Sequence, residues 1–295
     1  MNLEISSKKI GNPLLVELLG KLTDCFEKLG LPFYVIGATS RDLIMRQLAN
    51  VSAQRRTKDL DIAIAIPDWE KFEEISQLLI SEGFTKSKDK QHFYWKDYEL
   101  DIVPYGGVSK DDDNIYWPPE EEIAMSVKGF DEVLKDAITV SIDGTFDVKI
   151  ASLYGLFLLK LNAWVDRHYK TKKDAEDMSF ILGNYFDANC DLNLERDFHS
   201  EVYEREDFDT YIVGAIWLAY DLLPLLCTEQ LIHYRNIIQE ETKKGESSLL
   251  INQMLESDSN LSYERVKQTW EEIADIFNAE SQNREKSEGD GSEKE

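Results

Sequence analysis

The chain has 295 residues, with 57 acidic and 33 basic side chains and a formal net charge of −24 at pH 7. That length suits one large domain or two modest ones, and 13 Phe, 13 Tyr and 6 Trp supply ample bulk for a core. The charge excludes diffuse nucleic-acid binding over the whole surface, and with no 18-residue apolar run a membrane-spanning helix is excluded too.

The acidity is uneven. Residues 1–110 carry a net −1, 111–150 a net −8, 151–180 a net +1 and 181–295 a net −16. A local basic patch is therefore compatible with the composition. Cys25, Cys190 and Cys227 are odd in number and far apart, with neither zinc spacing nor a disulfide pattern. Together with the lack of a basic-then-apolar leader, this predicts a cytoplasmic protein.

In chain order, Leu14, Leu15, Leu18, Leu19, Leu22 and Phe26 have helical spacing, predicting a helix over 14–29. Phe33–Ile36 reads as a short buried strand. A turn of small residues follows at Gly37, with a helix over 40–49. In 59–66, Leu60, Ile62, Ile64 and Ile66 fall on one strand face and Asp59, Asp61, Ala63 and Ala65 on the other. Trp69–Leu79 reads as an amphipathic helix. His92–Trp95 and Glu99–Val103 read as strands joined by a tight turn at Lys96-Asp97. Residues 106–122, rich in Gly, Asp and Pro, read as a surface loop. Asp143-Gly144 joins strands 138–142 and 146–150 in a hairpin. Helices are predicted over 151–167, 172–182, 208–223, 229–241, 249–255 and 263–277. Residues 279–295 lack large apolar residues and read as a disordered acidic tail. The chain thus divides into a mixed α/β part over 1–150 and a helical part over 151–278, whose first helices are expected to pack back over the site.

The stretch Gly37-Ala38-Thr39-Ser40-Arg41-Asp42, followed by Lys58-Asp59-Leu60-Asp61, carries the chemistry. Residues i and i+2 of a strand point the same way, so Asp59 and Asp61 can share metal ions, with Asp101 on a second strand as a third carboxylate. Attack on a nucleotide α-phosphate requires charge to be neutralised on nucleophile, phosphate and leaving pyrophosphate. Two Mg²⁺ ions on carboxylates do this. Gly37, Ala38, Thr39 and Ser40 let backbone N–H groups approach a triphosphate at the start of a helix. A lone D-x-D pair in so acidic a chain more often marks a solvated strand face; the ordered set outweighs that reading.

A second cluster runs through Lys160, Ala163, Asp166 and Arg167, then Lys173, Asp174 and Asp177. Lys160 sits in an apolar stretch and needs an anion, either a substrate phosphate or a carboxylate such as Asp174. The alternative is a lysine that snorkels to solvent. Asp166/Arg167 and Lys173/Asp177 read equally well as structural ion pairs joining two helices.

Together these motifs resemble the AbiEii/AbiGii-type nucleotidyltransferases, toxin components of type IV toxin–antitoxin and abortive-infection systems. The resemblance runs from about residue 30 to 185. It implies an α+β fold, a polymerase-β-like nucleotidyltransferase core with a mixed sheet, followed by a helical domain. It further implies nucleotide transfer from an NTP with Mg²⁺, or Mn²⁺ in its place, to an acceptor such as the tRNA 3′ end, with an antitoxin protein as a partner. Gly37 and Ser40 match the family's loop, with Ala38, Thr39 and Arg41 in the same nucleotide-binding segment. Asp59 and Asp61 match the metal pair, Lys160 the helix lysine that contacts nucleotide, and Asp174 and Asp177 the last motif. Asp101 fits the third carboxylate of the wider superfamily. The loop departs from the family in reading Gly-Ala-Thr-Ser where relatives have Gly-Gly or Gly-Ser. The Arg41-Asp42 pair is also similar to the loop of class II CCA-adding enzymes and poly(A) polymerases, but their Arg-rich templating helix is missing. Two rival readings are a housekeeping RNA nucleotidyltransferase and a catalytically idle nucleotide-binding protein of the same fold.

Overall fold

A computed structural model of the chain describes residues 2–51, 58–110, 113–119, 122–193, 201–206 and 208–292. The chain divides into two compact units, Met1–Asn162 and Ala163–Glu295. The division falls twelve residues beyond the one expected near 150, inside a helix rather than ahead of it.

The first unit is built on an eight-stranded mixed sheet. Its strands are β1 (Asn2–Ile5), β2 (Tyr34–Ile36), β3 (Asp59–Ile66), β4 (Thr85–Lys86), β5 (His92–Trp95), β6 (Tyr98–Gly106), β9 (Ile138–Ile142) and β10 (Phe146–Ile150), in the order β1-β9-β10-β2-β3-β6-β5-β4. Its helices are α1 (Ser7–Ile10), α2 (Pro13–Leu29), α3 (Gly37–Leu48), α4 (Trp69–Ser81) and α5 (Phe130–Lys135). The helix α6 (Leu153–Arg167) begins in this unit. Pairings β1/β9, β10/β2 and β3/β6 are parallel and the rest antiparallel. The expected mixed sheet is therefore present, with two strands, β1 and β4, that the hydrophobic pattern did not announce.

Alternation decides the two faces of this sheet. Val35, Leu60, Ile62, Ile64, Phe93, Leu100, Ile102, Val148 and Ile150 share one face, and all are buried. The helices α2 and α4 cover it, with Gly20 of α2 passing close to the Phe146 ring. In α2, Leu15, Leu18, Leu19, Leu22 and Phe26 form the buried stripe that the spacing predicted. Pro13 stands in its first turn, Asn12 caps it through Leu15 N–H, and Gly30 ends it in the left-handed conformation.

Two expectations are corrected here. Helix α3 starts at Gly37 itself rather than at 40, so the small-residue turn is the first turn of the helix. Residues 106–122 are not simply loop: β7 (Asn114–Trp117) pairs antiparallel with β8 (Glu122–Ser126). Ile115 is fully buried, and the Trp117 ring lies 4.7 Å from that of Trp69 and 5.1 Å from that of Phe72. Burying this aromatic side outweighs the turn-forming bias of the surrounding residues. Residues 111–112 and 120–121 lie outside the described residues.

Among the described residues, the second unit is entirely helical: α7 (Lys173–Asn193), α8 (Thr210–Leu222), α9 (Thr228–Lys243), α10 (Leu249–Leu255) and α11 (Tyr263–Ser292), with short 3₁₀ turns. Helix α8 is apolar nearly all round and packs against α7 and α11, as a central helix must. Asp209 caps it, its carboxylate accepting from Tyr211 and Ile212 N–H, and Arg265 of α11 donates to the same oxygen at 2.6 Å.

Helix α11 continues through 279–292, where composition predicts a disordered tail. Arg284 explains the continuation. Its guanidinium donates to the carbonyls of Leu226 at 2.6 Å and Leu223 at 2.9 Å and pairs with Glu280 one turn back, while Ser281 is buried. Residues 293–295 lie outside the described residues. Arg284→Ala should remove charge-assisted hydrogen bonds worth about 2 kcal/mol. The expected outcome is faster amide hydrogen exchange over 279–292 with protection elsewhere in α11 retained. Unchanged exchange would show that the anchor does not hold this segment.

Candidate active site

Strand registers bring the predicted carboxylates together. In the parallel β3/β6 pair, Asp61 lies beside Asp101 and Asp59 beside Glu99. In the antiparallel β5/β6 hairpin, His92 lies beside Asp101 and Tyr94 beside Glu99. In β2/β3, Ile36 lies beside Asp61. Partners at one register position share a face, so Asp59, Asp61, Glu99, Asp101 and His92 emerge on the side opposite the apolar face. Asp59 is exposed, and the other four are half-buried.

Gly37 fixes one edge of this group. It has φ +67°, and a β-carbon there would collide with the Asp61 carboxylate. Only glycine suits both the conformation and the close approach. The Asp61 carboxylate thus lies against the first turn of α3. That turn has no side-chain cap, so its N–H groups and the helix dipole favour negative charge there.

The rest of the loop is tied into the fold. The Thr39 hydroxyl donates to the Asp59 carbonyl at 3.3 Å, and the buried Ser40 hydroxyl donates to the Ala151 carbonyl at 2.8 Å, linking α3 to the segment that leads into α6. Arg41 is buried, with Nε and a terminal nitrogen 2.9 and 2.8 Å from Asp42 Oδ1. Gly37 and Ala38 are the half-exposed positions of this turn. Further along the sheet, Tyr105 is buried beside Tyr34, and burial pushes its phenol well above the usual range.

Two residues near the carboxylates escaped the sequence reading. His92 and Glu99 join Asp101 in a group whose nitrogen and carboxylate oxygens all lie within 4.8 Å of one another. His92 Nδ1 faces Asp101 Oδ1 and lies 3.6 Å from Glu99 Oε1. A signal was available. A two-residue turn at Lys96-Asp97 makes Trp95 and Tyr98 the first pair, so His92 must oppose Asp101.

The second cluster is arranged differently. Lys160 is half-buried on α6. Within the second unit, Asp174 is fully buried, and both its oxygens accept from Arg167, at 2.7 and 2.8 Å. Arg167 thus pairs with Asp174, a partner outside the Asp166/Arg167 and Lys173/Asp177 set that the ion-pair reading named. Asp177, half-buried, lies one turn along α7.

No family model matches the chain, and no curated protein matches it. Among solved structures it is similar to ANT(2″)-Ia in complex with adenylyl-2″-tobramycin, at 16% identity and a TM-score of 0.36, over 58% of this chain and 89% of that one. It is also similar to a CCA-adding enzyme in complex with ATP, at 15% identity and a TM-score of 0.34, over 95% of this chain and 73% of that one. A tRNA-processing enzyme gives 13% identity and a TM-score of 0.28, over 87% of this chain and 79% of that one. Each likeness is partial.

Two substitutions test this geometry. Gly37→Ala should lower stability by about 1–2 kcal/mol through the left-handed conformation alone and should displace Asp61; thermal melting reads the first effect and divalent-ion binding the second. Wild-type melting of Gly37→Ala would contradict the cost of the left-handed conformation, and wild-type divalent-ion binding would contradict the close approach. Arg167→Ala removes two charge-assisted hydrogen bonds from a fully buried carboxylate and should cost about 3 kcal/mol, whereas Arg167→Lys should recover part of the loss in the same denaturation experiment.

Proposed function

We propose that the chain is a metal-dependent nucleotidyltransferase that moves a nucleotide from an NTP to an acceptor hydroxyl. The observation that carries this reading is the register placing Asp61 beside Asp101, with Asp59 on the same face, at the uncapped start of α3. Like charges at neighbouring positions repel one another, a bound cation relieves that repulsion, and these donors are hard oxygens of the kind Mg²⁺ and Mn²⁺ prefer. The residues therefore fit the ion that the motifs imply. Asp59, Asp61 and Asp101 would hold it. When bound, such an ion neutralises phosphate charge and acidifies the attacking hydroxyl.

The chain's own groups divide the remaining work. The N–H groups at Gly37 and Ala38 receive the triphosphate, because Gly37 has no side chain to block the approach and the first turn of α3 is uncapped. Thr39, Ser40 and Arg41 hold that turn rigid through the Asp59 carbonyl, the Ala151 carbonyl and Asp42. Asp101 lies on the strand beyond the metal pair, the position suited to orienting an acceptor hydroxyl. Lys160 supplies positive charge to the nucleotide, and Asp174 and Asp177 belong to the same motif set.

The motif set supports a narrower reading, in which the acceptor is RNA such as the tRNA 3′ end and the protein is the toxin of a toxin–antitoxin or abortive-infection pair. Incubation with each α-³²P-labelled NTP, Mg²⁺ and total cellular RNA tests both levels. Label should enter RNA and fall at least ~10³-fold in Asp59→Ala/Asp61→Ala protein, about 4 kcal/mol of transition-state stabilisation. Label on protein instead would replace the RNA acceptor while keeping the transfer reaction. Equal labelling by the double variant, or no labelling at all, would overturn the proposal.

A further inference from the structure

We propose that His92, Glu99 and Asp101 form a binding site for one divalent cation that accepts a nitrogen ligand, Zn²⁺ or Mn²⁺, which adjoins the Asp59–Asp61 pair and shares Asp101 with it.

Three features support the site. The first is the donor set: one imidazole nitrogen and two carboxylates, with ligand atoms within 4.8 Å of one another. Three protein ligands leave coordination positions open for water or a substrate oxygen.

The second is the state of the donor atoms. His92 Nδ1 and Asp101 Oδ1 are both shielded from solvent, and neither has a hydrogen-bond partner. They face one another in an ion-pair contact. Buried polar atoms are ordinarily satisfied, and a cation coordinated by both atoms would satisfy them together. The side chains themselves are 22% and 26% exposed, which places the group close to the surface.

The third is rigidity. All three residues project from the β5/β6 hairpin, where backbone pairing holds His92 beside Asp101 and places Glu99 two residues away on the same face. The Gln91 side-chain amide lies 3.2 Å from His92 Nε2. Turned with its oxygen inward, that amide accepts the Nε2 proton and leaves the Nδ1 lone pair for the ion, the outer-shell arrangement usual for metal-bound histidine.

The nitrogen donor decides the class of ion. Mg²⁺ takes oxygen ligands almost exclusively, whereas imidazole suits Zn²⁺ and is accepted by Mn²⁺. The three residues therefore read as a selectivity element beside an otherwise all-oxygen site.

The test is ion binding to the full chain after EDTA treatment, by titration calorimetry with ZnCl₂, MnCl₂ and MgCl₂ in turn. One Zn²⁺ or Mn²⁺ per chain should bind at least ten-fold more tightly than Mg²⁺. His92→Ala should weaken that binding at least ten-fold and leave Mg²⁺ binding unchanged. Asp59→Asn/Asp61→Asn should leave the Zn²⁺ or Mn²⁺ affinity of the three residues within two-fold. Electron paramagnetic resonance of the Mn²⁺ complex should show nitrogen hyperfine coupling that His92→Gln, a polar variant at a half-exposed strand position, abolishes. Equal affinities in wild type and His92→Ala, loss of binding only with Asp59 and Asp61, or no nitrogen coupling would each overturn the site. The inference is independent of the transfer reaction. A chain that binds the ion through His92 but labels no acceptor supports this site and defeats only the transfer proposal.

Discussion

Eight residues of β3 lie beside eight of β6 in unbroken parallel register, from Asp59 beside Glu99 to Ile66 beside Gly106, and every carboxylate of the candidate site takes its place from that pairing. Parallel neighbours need a long crossover, provided here by α4, β4 and β5. Once the register is set, the two-residue period sends Asp59, Asp61, Glu99 and Asp101 to one side. Leu60, Ile62, Leu100 and Ile102 go to the other, where they are fully buried. A slip of one residue in β3 would drive both aspartates into the apolar layer beneath α2 and α4, at several kcal/mol for each charge. The hydrophobic core therefore enforces the geometry of the polar site without touching it.

The approach of α3 is the second constraint. Strand β2 is only three residues long and delivers Gly37 directly against Asp61, where a side chain has no room. The first turn of α3 is then pinned by hydroxyl bonds from Thr39 to β3 and from Ser40 to the start of the next segment. A helix terminus with no side-chain cap, a strand carboxylate and a tight backbone turn meet at one point. Each costs something alone: an uncapped helix, a positive φ, and clustered negative charge. Sites that carry such costs together are typically functional ones.

The helical unit follows different physics. Its central helix α8 is buried by neighbours rather than amphipathic, and its charged residues work as local anchors. Arg167 neutralises the fully buried Asp174, Arg265 reinforces the cap of α8, and Arg284 extends α11 beyond the point where apolar residues give out. In so acidic a chain these few guanidiniums have large local effects, because a guanidinium keeps its charge and presents its donors in a fixed planar geometry.

Much of this was legible in the residues alone. The apolar alternation of 59–66, the helical spacing of 14–29 and the Asp143-Gly144 hairpin are local patterns whose period survives into the fold, and the D-x-D spacing by itself puts Asp59 and Asp61 on one face. Pairings between distant segments were not legible. Nothing near Asn2–Ile5 announces that it will extend the sheet alongside β9, and nothing near Asn114–Trp117 shows that its aromatic side will cover Trp69 and Phe72. Composition suggests disorder after Ala279 because the carbonyls that hold Arg284 belong to residues some sixty positions earlier. What the sequence by itself determined is which residues alternate, turn and carry charge, since those properties depend on neighbours along the chain. That Asp61 stands beside Asp101, that His92 joins that carboxylate, and that Asp174 is sealed by Arg167 were decided only in the tertiary structure. There, register and burial bring together groups that the chain keeps apart.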